Sequence, residues 1–278
     1  VTAPIQLQVP VGCVVVTTYG TIQFETVQAL GEMRSTVEVQ GLRFPWNFVP
    51  GSLVDRARNQ AVAQFLQHPQ KLGWLLFVDG DAVFQPDALT RLLMTAYRDH
   101  PEADAVGGYC TLRGDPYLPT IDTGTGTWES VLPGQGAMEV MRTGSAFVLL
   151  KRHVFEKVPG PWYGTRNPMR PIDALAEVDN FARTRFDGQN PLSETPEWQT
   201  LVQCAKDDPS SRVPPDTSAF VGEDSNWCDT MRFHGLRVFV DTGVEVHHVD
   251  RAIRSAADHR RVMEERDSLM RKFVGAMK

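Results

Sequence analysis

Two short, unbroken apolar runs constrain the fold more than any other feature of the chain: VGCVVVT at residues 11–17 and WLLFV at residues 74–78. Each is shorter than a helix needs, rich in β-branched or bulky side chains, and closed by a turn, Tyr19-Gly20 after the first and Asp79-Gly80-Asp81 after the second. A strand that is apolar on both faces must be covered on both faces, which is the situation of a mostly parallel sheet sandwiched between helices.

The stretches around these runs supply helices. Ile22, Val27, Leu30 and Met33 recur at helical spacing, and TVEVQG then alternates like a second strand before Gly41. Pro45 to Gly51 reads as a loop. Ser52 is placed to cap a helix whose apolar stripe is Val54, Ala57, Ala61, Val62 and Phe65, with Arg56 and Asn59 off the stripe. Pro86 opens a further helix carrying Leu89, Leu92, Leu93 and Ala96, and Ala105 to Tyr109 makes another strand. Beyond Gly114 the pattern loosens, then AMEVMRTGSAFVLLKR alternates like a strand and HVFEKV gives a short helix. Residues 159–218 are rich in Pro, Asp and Ser, with helical pattern only in VDNFARTRF and PEWQTLVQCAK. Order returns with GEDSNWCDTMRFHG as a helix stopped by Gly235, RVFVD and VEVHHV as two strands, and a last helix from about Ile253. The fold class is α/β and Rossmann-like, and such sheets bind ligands beyond the carboxyl ends of their strands.

Composition narrows the function. A formal charge of -6 and a pI near 5.7 leave no surplus of Lys and Arg for holding a nucleic-acid polyanion non-specifically. The cysteines, Cys13, Cys110, Cys204 and Cys228, form no CxxC pair and read as reduced thiols. No apolar run approaches the ~18 residues of a bilayer span, so a soluble, cytoplasmic protein of one domain, residues 1–278, is expected. DHRRVMEERDSLMRK alternates in charge as a solvated helix does.

At the end of the second apolar strand, Asp79 and Asp81 put two acidic groups one residue apart on a rigid edge. That arrangement can hold Mg²⁺ or Mn²⁺; the competing reading is a solvated acidic turn. Glu223 and Asp224 open a later helix, where carboxylates serve either as caps or as bases. His247 and His248 are strand neighbours and point to opposite faces, so at most one shares a site.

The blocks ARNQAVAQFL, WLLFVDGDAVFQPDALTRLL, VGGYCTLRG, TGSAFVLLKRHVFEKV and GEDSNWCDTMRFHGLRVFVDTGVEVHHV cover about half of the chain. In that order they resemble glycosyltransferases of the GT-A type similar to family two, including compact phage-encoded ones. The resemblance implies a metal-dependent hexosyl-type transferase that uses a UDP- or GDP-sugar, with residues 11–113 as the nucleotide-sugar half, 114–250 as the acceptor half and 159–218 as an acceptor-side lid. It implies Asp79 and Asp81, with His248 preferred over His247, as ligands of Mn²⁺ or Mg²⁺. It further implies Asp224 as the base of an inverting displacement, with Glu223 as its substitute or neighbour; retention stays open for a carboxylate on the other face of the sugar. Asp250 departs from the family, which usually has Gly there. Thr17, Thr18 and Tyr19 would meet the base and ribose. Arg58 would lie near the diphosphate, unless it is a surface charge. Gly144, Ser145 and Trp162 would border the acceptor, which is open among a glycan, a protein side chain, a small metabolite and a modified nucleobase; Trp128 and Tyr163 are further stacking candidates. Two other readings stay open, a sugar-nucleotide nucleotidyltransferase and a non-catalytic carbohydrate-binding subunit. Against the former, TTYGTIQFE is a poor phosphate cradle.

Overall fold

A computed structural model describes residues 9–18, 21–51, 53–111, 118–124, 131–164, 175–176, 178–179, 182–183, 186, 188–207 and 222–249. The chain divides into two compact units, one formed by Val1–Gly164 with Glu223–Lys278 and the other by Thr165–Gly222.

The larger unit is built on an eight-stranded sheet ordered β2-β1-β3-β7-β5-β8-β4, with β6 also paired to β8. The strands are β1 (Gly12–Thr18), β2 (Trp46–Pro50), β3 (Trp74–Asp79), β4 (Ala82–Phe84), β5 (Ala105–Cys110), β6 (Ala137–Val140), β7 (Phe147–Lys151) and β8 (Val238–His248). β1 pairs parallel with β2 and β3, and β5 pairs parallel with β8; β7 lies antiparallel between β3 and β5. β1, β2, β3, β5 and β8 therefore run in one direction, and β4, β6 and β7 in the other. The expected mostly parallel sheet is present with one reversed strand at its centre.

Strand alternation divides the core in two. Cys13, Val15, Leu75 and Phe77 face α2 (Val54–Gln67), α4 (Arg152–Lys157) and α6 (Glu223–Phe233). Val14, Val16, Leu76 and Val78 face α1 (Phe24–Val39) and α3 (Ala88–Met94), which continues as one π-turn, Thr95–Asp99. Both faces are thus covered, and continuous apolar strands are the sequence trace of that.

Three expectations are corrected. TVEVQG is the end of α1, because Val37 continues the buried stripe of Ala29, Leu30 and Met33, and the Arg34–Glu38 pair closes at 2.8 Å along the outer face. Val39, which alternation made inward-facing, is 89% exposed. The segment taken as a loop is strand β2, with Pro50 at the end of its register with β1, a position where a missing N–H does little harm. RVFVD and VEVHHV are one strand, β8, in which pairing with β5 slips between Gly108 and Tyr109, so that Gly108 opposes Asp241 and Tyr109 opposes Glu245. Ser52 and the C-terminal helix lie outside the described residues.

In the smaller unit, PEWQTLVQCAK forms α5 (Pro196–Asp207) as expected, and residues 178–179 and 182–183 of VDNFARTRF are helical. Asp179 accepts from Arg183 at 2.6 Å and from Asn190 at 2.8 Å.

At the slip in β5 a side chain on Gly108 has no room: a Cβ there would lie 2.7 Å from Val246 Cγ2 and 3.0 Å from the Val244 carbonyl oxygen. Gly108→Ala is expected to destabilise the protein by about 1–3 kcal/mol, the usual cost of overpacking, read as a lower urea midpoint at unchanged slope. An unchanged midpoint contradicts this register.

Candidate functional site

Because five strands share a direction, their carboxyl ends meet at one edge. There Thr17 and Thr18 end β1, Asp79 ends β3, Cys110 ends β5 and His248 ends β8, and all line a cleft of about 470 Å³. The reversed β7 brings its start to the same edge: the Asp79 amide donates to the Ala146 carbonyl at 2.8 Å, and Gly144 and Ala146 line the cleft. Gly80 packs so closely that a Cβ there would meet Thr18 Oγ1 at 3.1 Å, and its amide bonds the Thr17 carbonyl at 2.9 Å. This contact turns the chain after Asp79 so that Asp81 enters β4.

β4 pairs with the end of β8, Ala82 opposite His248 and Val83 opposite His247. His248 is therefore on the cleft side and His247 on the other face, the alternation anticipated from a strand. His248 Nδ1 lies 3.7 Å from Asp81 Oδ1, too far for a hydrogen bond, and is a buried nitrogen without a hydrogen-bond partner among the described residues. Its Nε2 is 2.9 Å from Cys110 Sγ. With no ion present, burial disfavours the imidazolium, but Asp81 and Cys110 outweigh it and hold its pKa up at about 10, so a cation binding at Nδ1 would displace a proton from it.

The opposite wall is organised by Arg58 on α2, 1% exposed. Its Nη1 donates to Asp224 Oδ1 at 2.6 Å and to Glu223 Oε1 at 3.3 Å, and its Nη2 to Asp79 Oδ1 at 3.0 Å. Thr17 Oγ1 donates to that same Asp79 oxygen at 2.9 Å. Burial works against the guanidinium's charge, the carboxylates more than restore it, and its pKa is raised above the ordinary arginine value. Glu223 is pushed the other way for an acid: burial first, then the Asp224 charge, raise its pKa. Arg58 also lies 5.4 Å from the centre of the Tyr163 ring. Its neighbour Asn59 accepts from the Trp162 and Tyr163 amides at 2.8 and 3.0 Å.

The sequence-derived residues are thus divided. Thr17, Thr18, Arg58, Asp79, Asp81, Gly144, Glu223, Asp224 and His248 line the one cleft. Arg58 is a buried hub and not a surface charge, and its bonds go to carboxylates. Ser145 and Trp162 are not on the cleft wall: Ser145 is 2% exposed, and the Trp162 indole donates to the Val158 carbonyl at 2.9 Å and packs edge-on against Phe155. Tyr163 is buried against Phe77 and Trp227. Tyr19 and Trp128 lie outside the described residues. Cys110, Thr111 and Thr120 line the cleft without having been singled out from sequence, in which the strand was read as ending at Tyr109, one residue short of Cys110.

Among the described residues no three His, Cys, Asp or Glu groups are arranged to hold a metal ion. The groups in the cleft that could hold one are fewer, Asp81 and His248. Two donors each ~2.1 Å from one ion stand about 3–4 Å apart, so the 3.7 Å separation and the unbonded Nδ1 fit a shared cation whose other positions a phosphate and water would fill. Asp79, expected as a ligand, has its Oδ1 engaged by Arg58 and Thr17.

No family model and no curated protein matches this chain. Among solved structures it is similar to A197 from STIV, at 14% identity and TM-score 0.51 over 89% of this chain and 91% of that one. That likeness establishes a common fold. Others include a glycosyltransferase involved in the glycosylation of the major capsid of PBCV-1, at 11% identity and TM-score 0.31 over 69% of this chain and 75% of that one. A third is S. aureus TarS 1-349 in complex with UDP-GlcNAc, at 13% identity and TM-score 0.34 over 53% of this chain and 48% of that one. No helix of the described residues is long and apolar enough to cross a membrane.

Two outcomes follow from the carboxylate cluster. Arg58→Met leaves three partly buried carboxylates without their cation and is expected to cost roughly 3 kcal/mol, the low end for a broken buried pair because the acids keep some solvent contact. Glu223→Gln should do the reverse. Its folded pKa lies above the unfolded one, so its charge opposes folding; the cost is full above the folded pKa and vanishes below the unfolded value of about 4. Urea unfolding at pH 8 should therefore show Glu223→Gln more stable than wild type, with the difference gone at pH 3.5; a destabilised variant at pH 8 contradicts the assignment.

Proposed function

We propose that the chain is a metal-dependent glycosyltransferase of the GT-A type that takes a sugar from a UDP- or GDP-sugar and gives it to a hydroxyl-bearing acceptor. The observation that supports this most is the gathering of Asp81 with His248 and of the Arg58-bound carboxylates in one cleft at the carboxyl ends of the sheet. A Mn²⁺ or Mg²⁺ ion held by Asp81 and His248 would supply positive charge to the departing diphosphate.

The protein's own groups divide the remaining work. Thr17 and Thr18 end the first strand with their hydroxyl protons given to Asp79 and to the Thr21 carbonyl, so their oxygens can only accept from ribose and base, while Asp79, whose Oδ1 is fixed by Arg58 and Thr17, is assigned to the donor. The acceptor hydroxyl must lose its proton as it attacks the anomeric carbon. Glu223 and Asp224 share one guanidinium and form a coupled pair of carboxylates. The pair takes that proton: Arg58 holds Asp224 in place, and the Asp224 charge together with burial raises the proton affinity of Glu223. A base on the face opposite the diphosphate gives inversion in a single displacement.

The deciding experiment is a panel of nucleotide sugars scored for Mn²⁺-dependent release of UDP or GDP, followed by an acceptor screen with the active donor. A protein of this fold that only binds carbohydrate releases none. With that donor, Asp81→Ala should abolish metal-dependent nucleotide binding in calorimetry, and His248→Ala should weaken it more than His247→Ala; equal effects count against the cation site. Asp224→Asn and Glu223→Gln should keep donor affinity and lose ~10²- to 10⁴-fold in single-turnover transfer. If both variants turn over at the wild-type rate, the proton goes elsewhere.

A further inference from the structure

His248 carries two ring nitrogens with different surroundings. Nδ1 faces Asp81 without a hydrogen bond, and Nε2 faces the sulfur of Cys110 at 2.9 Å. His248 and Cys110 are more than nine-tenths buried and both line the cleft. Which nitrogen bears the proton decides whether Nδ1 can bind a cation. If the thiol donated to Nε2, a neutral ring would carry its proton on Nδ1, and no lone pair would face Asp81. The thiol proton, however, has another acceptor: Cys110 Sγ donates to the Thr111 carbonyl at 3.7 Å, which leaves the sulfur lone pairs to receive an N–H.

We propose that Cys110 is a positioning residue, whose sulfur accepts the Nε2–H of His248 and so keeps the Nδ1 lone pair turned toward Asp81 and the cation. This rests on the reading of Asp81 and His248 as a cation site. A metal-binding histidine is oriented by whatever holds its second nitrogen, and in most sites that is a carboxylate, a carbonyl or water. Here a thiol at the end of β5 takes the role. Thr120 Oγ1 donates to the Cys110 carbonyl at 3.2 Å, and the Thr120 amide to the same oxygen at 2.8 Å, so the backbone that carries the sulfur is itself fixed.

The test is Mn²⁺ binding to the free protein, read from the electron paramagnetic resonance of unbound Mn²⁺, without donor or acceptor. Cys110→Ala is expected to weaken Mn²⁺ binding about 10- to 100-fold, and Cys110→Ser, whose hydroxyl accepts the same N–H, to recover part of the loss. Cys13→Ala removes a buried thiol of the β1 core that does not line the cleft and should leave Mn²⁺ affinity unchanged, which separates positioning from a general loosening of the core. Nitrogen-15 shifts of His248 in the Mg²⁺-loaded wild type should show the proton on Nε2. Equal Mn²⁺ affinity in wild type and Cys110→Ala, or a proton on Nδ1, overturns the proposal and leaves the cation site standing. A wild type that takes up no Mn²⁺ overturns the cation site, and this proposal with it.

Discussion

A single buried guanidinium ties the site to the fold. Arg58 reaches Asp79 at the end of β3 and both Glu223 and Asp224 at the start of α6. These three acids come from segments far apart in sequence, and no backbone ladder joins α6 to β3. Burying a guanidinium alone would be prohibitive, so the acids must come to it, and they in turn gain a cation that offsets their mutual repulsion. The planar fork of arginine donates in several directions at once, which an ammonium on a flexible stem does less well. Asn59, one residue on, clamps the backbone of residues 162 and 163, and Tyr163 offers its ring to Arg58. α2 therefore places one wall of the cleft through two adjacent polar side chains.

The other wall follows from strand direction. Five co-directional strands deliver their last residues to one edge, and the reversed β7 delivers its first. Within that edge the short β4 matters most, because its pairing with the end of β8 is what sets Asp81 beside His248. The Val249 amide bonds the Asp81 carbonyl at 2.8 Å and extends the pairing to the acid itself. The slip between β5 and β8 at Gly108 then brings Cys110 opposite Val246, two residues before His248, with the sulfur against the imidazole.

Much of this was legible in the sequence, and the failures have physical causes. The buried strands β1, β3 and β5 and the helices α2 and α6 are written in apolar runs and stripes, and the strand-end acids and the paired histidines lie where those runs end. TVEVQG misled because four residues of alternation fit both periods, and only the buried face of α1 decides between them. β2 was hidden by its prolines. Arg58 was undecidable, since a charge at one position of a helix reads alike whether it faces water or three distant carboxylates. Cys110 left no trace in spacing, because its partner His248 is brought to it by a strand slip that no local pattern encodes. Trp162 was singled out as an aromatic near the acceptor, yet its indole is spent on the Val158 carbonyl.

Charge is the last constraint on what the cleft accepts. Among the described residues its wall carries four carboxylates, Asp79, Asp81, Glu223 and Asp224, against one arginine and one histidine. Arg58 is 1% exposed and has both terminal nitrogens bonded to three of those acids, so it organises the wall and does not present its charge to a diphosphate. A nucleoside diphosphate would bring further negative charge to a site already acidic. Under the proposed function, a cation bound between Asp81 and the phosphates would reverse the sign of that encounter. Asp81 is the acid of this wall that Arg58 does not bond, and among the described residues the nitrogen of His248 that has no hydrogen bond is directed to the same place. In the function we propose, one acid and one imidazole serve the cation, and the three acids around Arg58 serve the donor and the acceptor's proton.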